Sequence, residues 1–232
     1  MKSVPALIGL TWLLAGPAVR AQESKTDHGH TRSCRIVFPE RQVDAPKAAF
    51  LFDGQECREV SLSSMNFSDV ITLPSGEITI LMTPDKVTDR ENLPANAPSL
   101  KIPEGTKDFY IHVTPDTTNG ILPLQLNLVD VGNGVLGQGE TLWFNLTAHL
   151  IVAKLKDSEM TVPPQGQTVS KAPLPESGYY SAEFTYQPQG KGDFQKITEQ
   201  NWWHDAKSRH VGFIVESGGK LPKIYFYRDF RN

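Results

Sequence analysis

The chain is poor in the residue patterns that announce a chemistry. Two cysteines in 232 residues exclude a disulfide-dense scaffold and a cysteine-built metal centre. There is no glycine-rich phosphate loop, no paired-histidine zinc helix and no serine on a nucleophile elbow. Neither sign of charge dominates: 23 Lys and Arg oppose 26 Asp and Glu, a net of −3, so no basic footprint for nucleic acid or an anionic membrane exists. After residue 21 no apolar run is long enough to span a bilayer. Helical periodicity is nearly absent too, and only Lys196 to Lys207 has room for a short helical turn.

What is present begins with a leader. Lys2 gives a positive start, Val4 to Ala15 is apolar apart from Pro5, Gly9 and Thr11, and Val19-Arg20-Ala21 puts a small residue before Gln22. These are the three parts of a secretory signal over residues 1–21, and the stretch falls short of the roughly 20 apolar residues of a membrane span. Export to the periplasm or the medium is expected, with no membrane segment left in the mature chain. An oxidising compartment permits Cys34 and Cys57 to pair, which would stabilise the fold by about 3 kcal/mol if their strands are adjacent; two free thiols are the alternative. Residues 22–33, QESKTDHGHTRS, are polar and read as a flexible tail.

From Cys34 onward, short β-branched and aromatic runs alternate with Gly, Pro, Asn and Asp. They include AAFLF (48–52), EITILM (77–82), DFYIHV (108–113), TLWFNL (141–146), YYSAEFTY (179–186) and IYFYRDF (224–230). Strand spacing of this kind without helices predicts an all-β, antiparallel β-sandwich. Within DFYIHV, Phe109, Ile111 and Val113 point one way and Asp108, Tyr110 and His112 the other. Likewise Leu122, Leu124, Leu126 and Leu128 share a face, and Pro123 belongs at an edge or a bulge.

Two stretches break the pattern. Residues 84–98 read as a long polar surface loop, and Gly132 to Gly139 holds four glycines. TLPSGEITI around Gly76 echoes TVPPQGQTV around Gly166, and Phe109-Tyr110 echoes Tyr179-Tyr180. The echo suggests a duplication. Two Ig-like sandwiches in tandem are expected, over residues 34–131 and 132–232, with one larger sandwich as the alternative.

The run FLFDGQECREVSLSSMNFSDVITLPSGEITILM, followed by WFNLT, the PPQG turn, NWWHDAKSRHVGFIV and YFYRDF, resembles uncharacterised secreted β-sandwich proteins of bacteria. The resemblance implies a fold and an export route. It transfers no catalytic residue.

The densest constellation is Asn201-Trp202-Trp203-His204-Asp205, followed by Arg209 and His210. On a loop, Trp202 and Trp203 would form a stacking platform for sugar rings, with Asp205 and Arg209 bonding hydroxyls. The competing reading is a corner that closes the sandwich, one indole buried and Asp205 paired with Arg209; neighbours in extended chain face opposite ways, so at most one indole is exposed. His204, Asp205 and Ser208 are the residue types of a hydrolase triad, crowded into five positions. His28-Gly29-His30 with Asp27 offers metal ligands, but in a tail that fixes no geometry. Asn66-Phe67-Ser68 and Asn145-Leu146-Thr147 fit the glycosylation pattern by chance composition. The C-terminal strand alternates Tyr225, Tyr227 and Asp229 against Phe226, Arg228 and Phe230, either as a covered strand or as an edge that pairs with a partner.

The expectation is an exported, non-enzymatic protein that acts by protein interaction or structural association in the envelope or outside the cell, with no cofactor and no metal. A carbohydrate-binding module using Trp202 and Trp203 is the first alternative. A secreted hydrolase built on His204 or His210 is the second.

Overall fold

The computed structural model describes residues 32–132, 136–218 and 220–230; the leader, residues 22–31 with His28 and His30, and Arg231 lie outside them. The first eight strands are β1 (Arg32–Val37), β2 (Ala48–Phe52), β3 (Cys57–Ser61), β4 (Ile71–Leu73), β5 (Ile78–Thr83), β6 (Ser99–Ile102), β7 (Asp108–Pro115) and β8 (Leu124–Asp130). The next eight are β9 (Thr141–Asn145), β10 (Leu150–Leu155), β11 (Ser158–Val162), β12 (Gln167–Ser170), β13 (Gly178–Gln187), β14 (Gln195–His204), β15 (Arg209–Ser217) and β16 (Lys220–Asp229). One short 3-10 turn, Pro188–Gly190, is the only helical element among the described residues. The fold is all-β.

Turn chemistry sets the strand ends. Asp53 Oδ1 accepts hydrogen bonds from the amides of Gln55 and Glu56 at 2.9 and 2.7 Å, and Gly54 takes φ +92, which lets β2 reverse into β3. The long loop expected over residues 84–98 is there, and it delivers the chain into β6, a strand too short and polar to be read beforehand. Arg32 and Ser33, expected in the tail, open β1 by pairing with Leu73 and Thr72. The helical turn expected over Lys196 to Lys207 is absent: residues 195–204 form β14, which pairs along its length with β13.

Four sheets result, ordered β4-β1-β7-β8, β3-β2-β5-β6, β12-β9-β15-β16 and β11-β10-β13-β14. Adding eight to every strand number of the first two sheets yields the second two. The pairing senses repeat as well, all antiparallel except β1 with β7 and β9 with β15, which are parallel. The turns that carried the sequence echo are not counterparts in this scheme. Gly76 lies between β4 and β5 and Gly166 between β11 and β12, while Phe109 is on β7 and Tyr179 on β13.

Three hydrophobic clusters separate the four sheets. The first, with Ile36, Leu51, Ile80 and Ile111, lies between the two sheets of β1–β8. The third, with Trp143, Ile151, Phe184 and Ile214, lies between the two sheets of β9–β16. The second, with Val37, Tyr110, Leu142, Phe144, Val211 and Phe213, joins the β1/β7 sheet to the β9/β15 sheet. The two middle sheets are therefore covered on both faces, and their strands show continuous burial: β9 is buried at all five positions. This is why Tyr110 and His112, on the face opposite Phe109, Ile111 and Val113, are also buried. Leu122, Leu124 and Leu126 enter the first cluster with Leu128 packed against it, and Pro123 stands just ahead of β8, an edge strand.

Period two sorts residues between layers. On β9, Leu142 and Phe144 face the middle cluster and Trp143 the third. A Cβ on Gly212 would lie 2.2 Å from the Trp143 ring, so only glycine lets β15 run beside that indole.

Candidate functional site

The cysteines do not form a disulfide. Cys34 is buried on β1 and Cys57 is half-buried on β3, in different sheets, and the two sulfurs are not bonded to each other. Cys57 is held instead at the β2–β3 turn, where its Sγ accepts the amide of Val87 at 3.3 Å.

Arg209 and Asp205 share no hydrogen bond or ion pair. Asp205 shapes the β14–β15 turn, its Oδ1 accepting the Lys207 amide at 3.1 Å and its Oδ2 the Ser208 hydroxyl at 2.8 Å. Arg209 donates to Asp108 and to Asp229, both at 2.9 Å. Asp229, whose side chain is 0% exposed, also accepts from Arg35 and from the Tyr110 hydroxyl, each at 2.6 Å. Arg35 in turn donates to the Ser68 carbonyl and lies over the Phe67 ring. This network ties β1 and β7 to β15 and β16 through one buried carboxylate, which compensates two guanidinium groups.

The triad residues do not form a relay. The Ser208 hydroxyl is spent on Asp205, and Nε2 of His204 has no hydrogen-bond partner among the described residues. His210 stacks on Phe226, and its ring centroid is 5.8 Å from that of His204. Burial, and secondarily the neighbouring His204, pushes the His210 pKa down to about 4; burial lowers His204 as well. Both imidazoles are neutral near pH 7. His112 stacks on Phe213 across the middle cluster and burial takes it to about 4. Among the described residues no group of three or more His, Cys, Asp or Glu side chains could hold a metal ion. No helix among them is long and apolar enough to cross a membrane.

The two tryptophans do converge on one feature. On β14 their side chains face opposite ways. Trp202 packs against the third cluster, stacked on Phe184 with centroids 5.2 Å apart, while Trp203 is 45% exposed and meets the exposed Tyr179 edge-on at 5.0 Å and 74°. Both line a groove of about 590 Å³. β14 and β16 are the outer strands of their respective sheets, so the groove runs between two open strand edges in the β9–β16 half of the chain. Its floor is Trp202, Ile224 and Phe226, each only partly buried against the third cluster.

One wall comes from the other half of the chain. The loop between β3 and β4 reaches over to β16, where the Tyr227 hydroxyl donates to the Ser64 carbonyl at 2.9 Å and Phe67 packs against the Tyr227 ring. That loop carries Met65, 79% exposed, and Asn66 to the groove rim. The far end is Arg228 and Phe230, the guanidinium lying 5.1 Å from the ring centroid. Asn66, Gln200 and Arg228 make no side-chain hydrogen bond to another described residue and leave their donors to solvent. Of the glycosylation-pattern asparagines, Asn66 is exposed, but Asn145 is fully buried and fastens its turn through the carbonyls of His149, Val162 and Pro163.

Sequence reasoning found Trp202 and Trp203 but missed Met65, Gln200 and Ile224. Exposed Met65 is a legible signal only once the groove beside it is known. No protein-family model and no curated protein sequence matches this chain.

Proposed function

We propose that this is an exported binding protein that acts by protein interaction, built as a tandem pair of β-sandwich units, with its binding site on the second unit. The leader at residues 1–21 supports export, and the repeated strand order supports duplication. The observation that carries the binding site is the β14/β16 groove. Two ten-residue strands, each unpaired on one side, flank a floor of half-buried Trp202, Ile224 and Phe226 and a rim of exposed Met65, Trp203 and Phe230. Contiguous apolar surface of this kind beside open edges is the signature of an interaction site.

A glycan ligand is the second reading. It is favoured by the exposed indole of Trp203 beside the amides of Asn66 and Gln200. The Tyr179 and Trp203 rings stand nearly perpendicular, so they offer one stacking face rather than a flat two-ring platform. Asp205 and Arg209, the groups expected to bind hydroxyls, are engaged elsewhere.

The test is co-sedimentation of the purified protein with envelopes of its source cells, untreated and protease-stripped. Binding that is lost on stripping is the expected result. Binding that survives stripping moves the glycan reading ahead.

A further inference from the structure

The first unit shows how this architecture closes the side that the second leaves open. There the counterparts of β14 and β16 are β6 and β8, and the chain before β8 carries Leu122 into the first cluster, where it is 3% exposed. In the second unit β15 turns directly into β16, with Ser217 paired to Lys220, and no described residue of that turn enters the third cluster. The floor of Trp202, Ile224 and Phe226 stays half-open as a result.

We infer that the groove takes an extended polypeptide segment, added as a strand along the free edge of β16, with an aliphatic side chain supplied in trans where Leu122 serves in cis and a carboxylate against Arg228. This rests on the protein-interaction reading above. The chain faces the groove from Ile224 on β16 to Phe230 just past its end, beyond Pro222, which cannot donate to a ladder. Seven residues of extended chain span roughly 23 Å, enough for a segment to place three or four alternate side chains on the floor. Arg228 is the one charged residue that lines the groove among the described residues, so it selects for an anionic partner. It also disfavours a second copy of β16, which would set Arg228 and Lys223 against their own kind.

The experiment uses the full protein and three synthetic ten-residue peptides. The first alternates Leu with Thr and carries one Glu, the second has Lys in place of that Glu, and the third is the first with alternate backbone amides N-methylated. Tryptophan emission reports occupancy beside Trp202 and Trp203, and amide infrared reports strand pairing. The Glu peptide should give a saturable blue shift, with binding at least tenfold weaker for the Lys peptide and for the N-methylated one. Arg228→Gln should erase the preference for Glu over Lys and leave the thermal unfolding curve in place. Equal binding of the Glu and N-methylated peptides would overturn strand addition. Silence from all three peptides alongside protease-sensitive envelope binding would overturn it too, while the protein-interaction reading stands. A blue shift with chito- or cello-oligosaccharides alone, and no peptide response, would overturn both.

Discussion

The two halves of this chain share one strand order and differ in how they finish their edges. In the first, strands are shorter and loops longer: β6 has four residues, the 84–98 loop precedes it, and Leu122, just ahead of β8, is buried in the first cluster. In the second, the corresponding connections are shorter, seven residues before β14 and two before β16, β14 and β16 run to ten residues each, and aromatic side chains are left at the open side. Sheet order is thus set by the layers of buried side chains, while loop length and strand length decide whether an edge is closed or offered to a partner. The two halves are joined by the middle cluster and the Asp229 network.

Breaking that fastening should have the largest effect. Asp229→Ala leaves Arg35 and Arg209 without their shared carboxylate, and a stability loss of about 3–5 kcal/mol is expected from urea unfolding. Opening the closed half comes next. Leu122→Ala should cost about 3 kcal/mol, since a buried aliphatic side chain is exchanged for a cavity. Its effect separates the halves, because groove binding should survive in the residual folded protein.

Acid should loosen the middle layer by a comparable amount. His112 is held neutral in the native state down to about pH 4, whereas in the unfolded chain it protonates near 6.5. Below 6.5 the unfolded state therefore binds the proton that the native state refuses, and stability falls as pH drops through the window from 6.5 to 4. The loss should be about 2 kcal/mol by pH 5, and His112→Phe, which keeps a ring against Phe213, should remove that share. Urea midpoints at pH 7 and pH 5 for both proteins check it.

Trp203→Ala should move stability by no more than about 1 kcal/mol, because the side chain is half in solvent, yet it should abolish binding in the groove. The smallest effect is predicted for reductant. With no bond between Cys34 and Cys57, dithiothreitol should leave the unfolding temperature unchanged, and thiol titration of the denatured protein should find two groups without it.

The strands legible in the sequence are those whose burial makes them uniformly apolar or strictly alternating, such as TLWFN on β9 and AAFLF on β2. β14 escaped because QKITEQNWWH is an edge strand with one wet face, and its polar residues imitate a helical turn. The opposite orientation of Trp202 and Trp203 followed from the two-residue period, and so did the division of Tyr225, Tyr227 and Asp229 from Phe226, Arg228 and Phe230. The partners of Arg209 are not legible in the sequence because they lie 101 and 20 residues away and the network also reaches Arg35, 194 residues from Asp229. No local pattern carries that information. The groove itself is lined by Met65 from the first half of the chain and Phe230 from the end of the second, so no local stretch of sequence reveals it.

The central claim is that binding resides in the open side of the second unit. The most direct measurement is envelope co-sedimentation of the wild-type protein beside a Trp203→Ala/Phe230→Ala double variant, with thermal unfolding of each recorded in parallel. The account predicts that the variant unfolds within a few degrees of wild type and stays in the supernatant at concentrations where wild type pellets. A variant that folds and pellets as wild type does would contradict it.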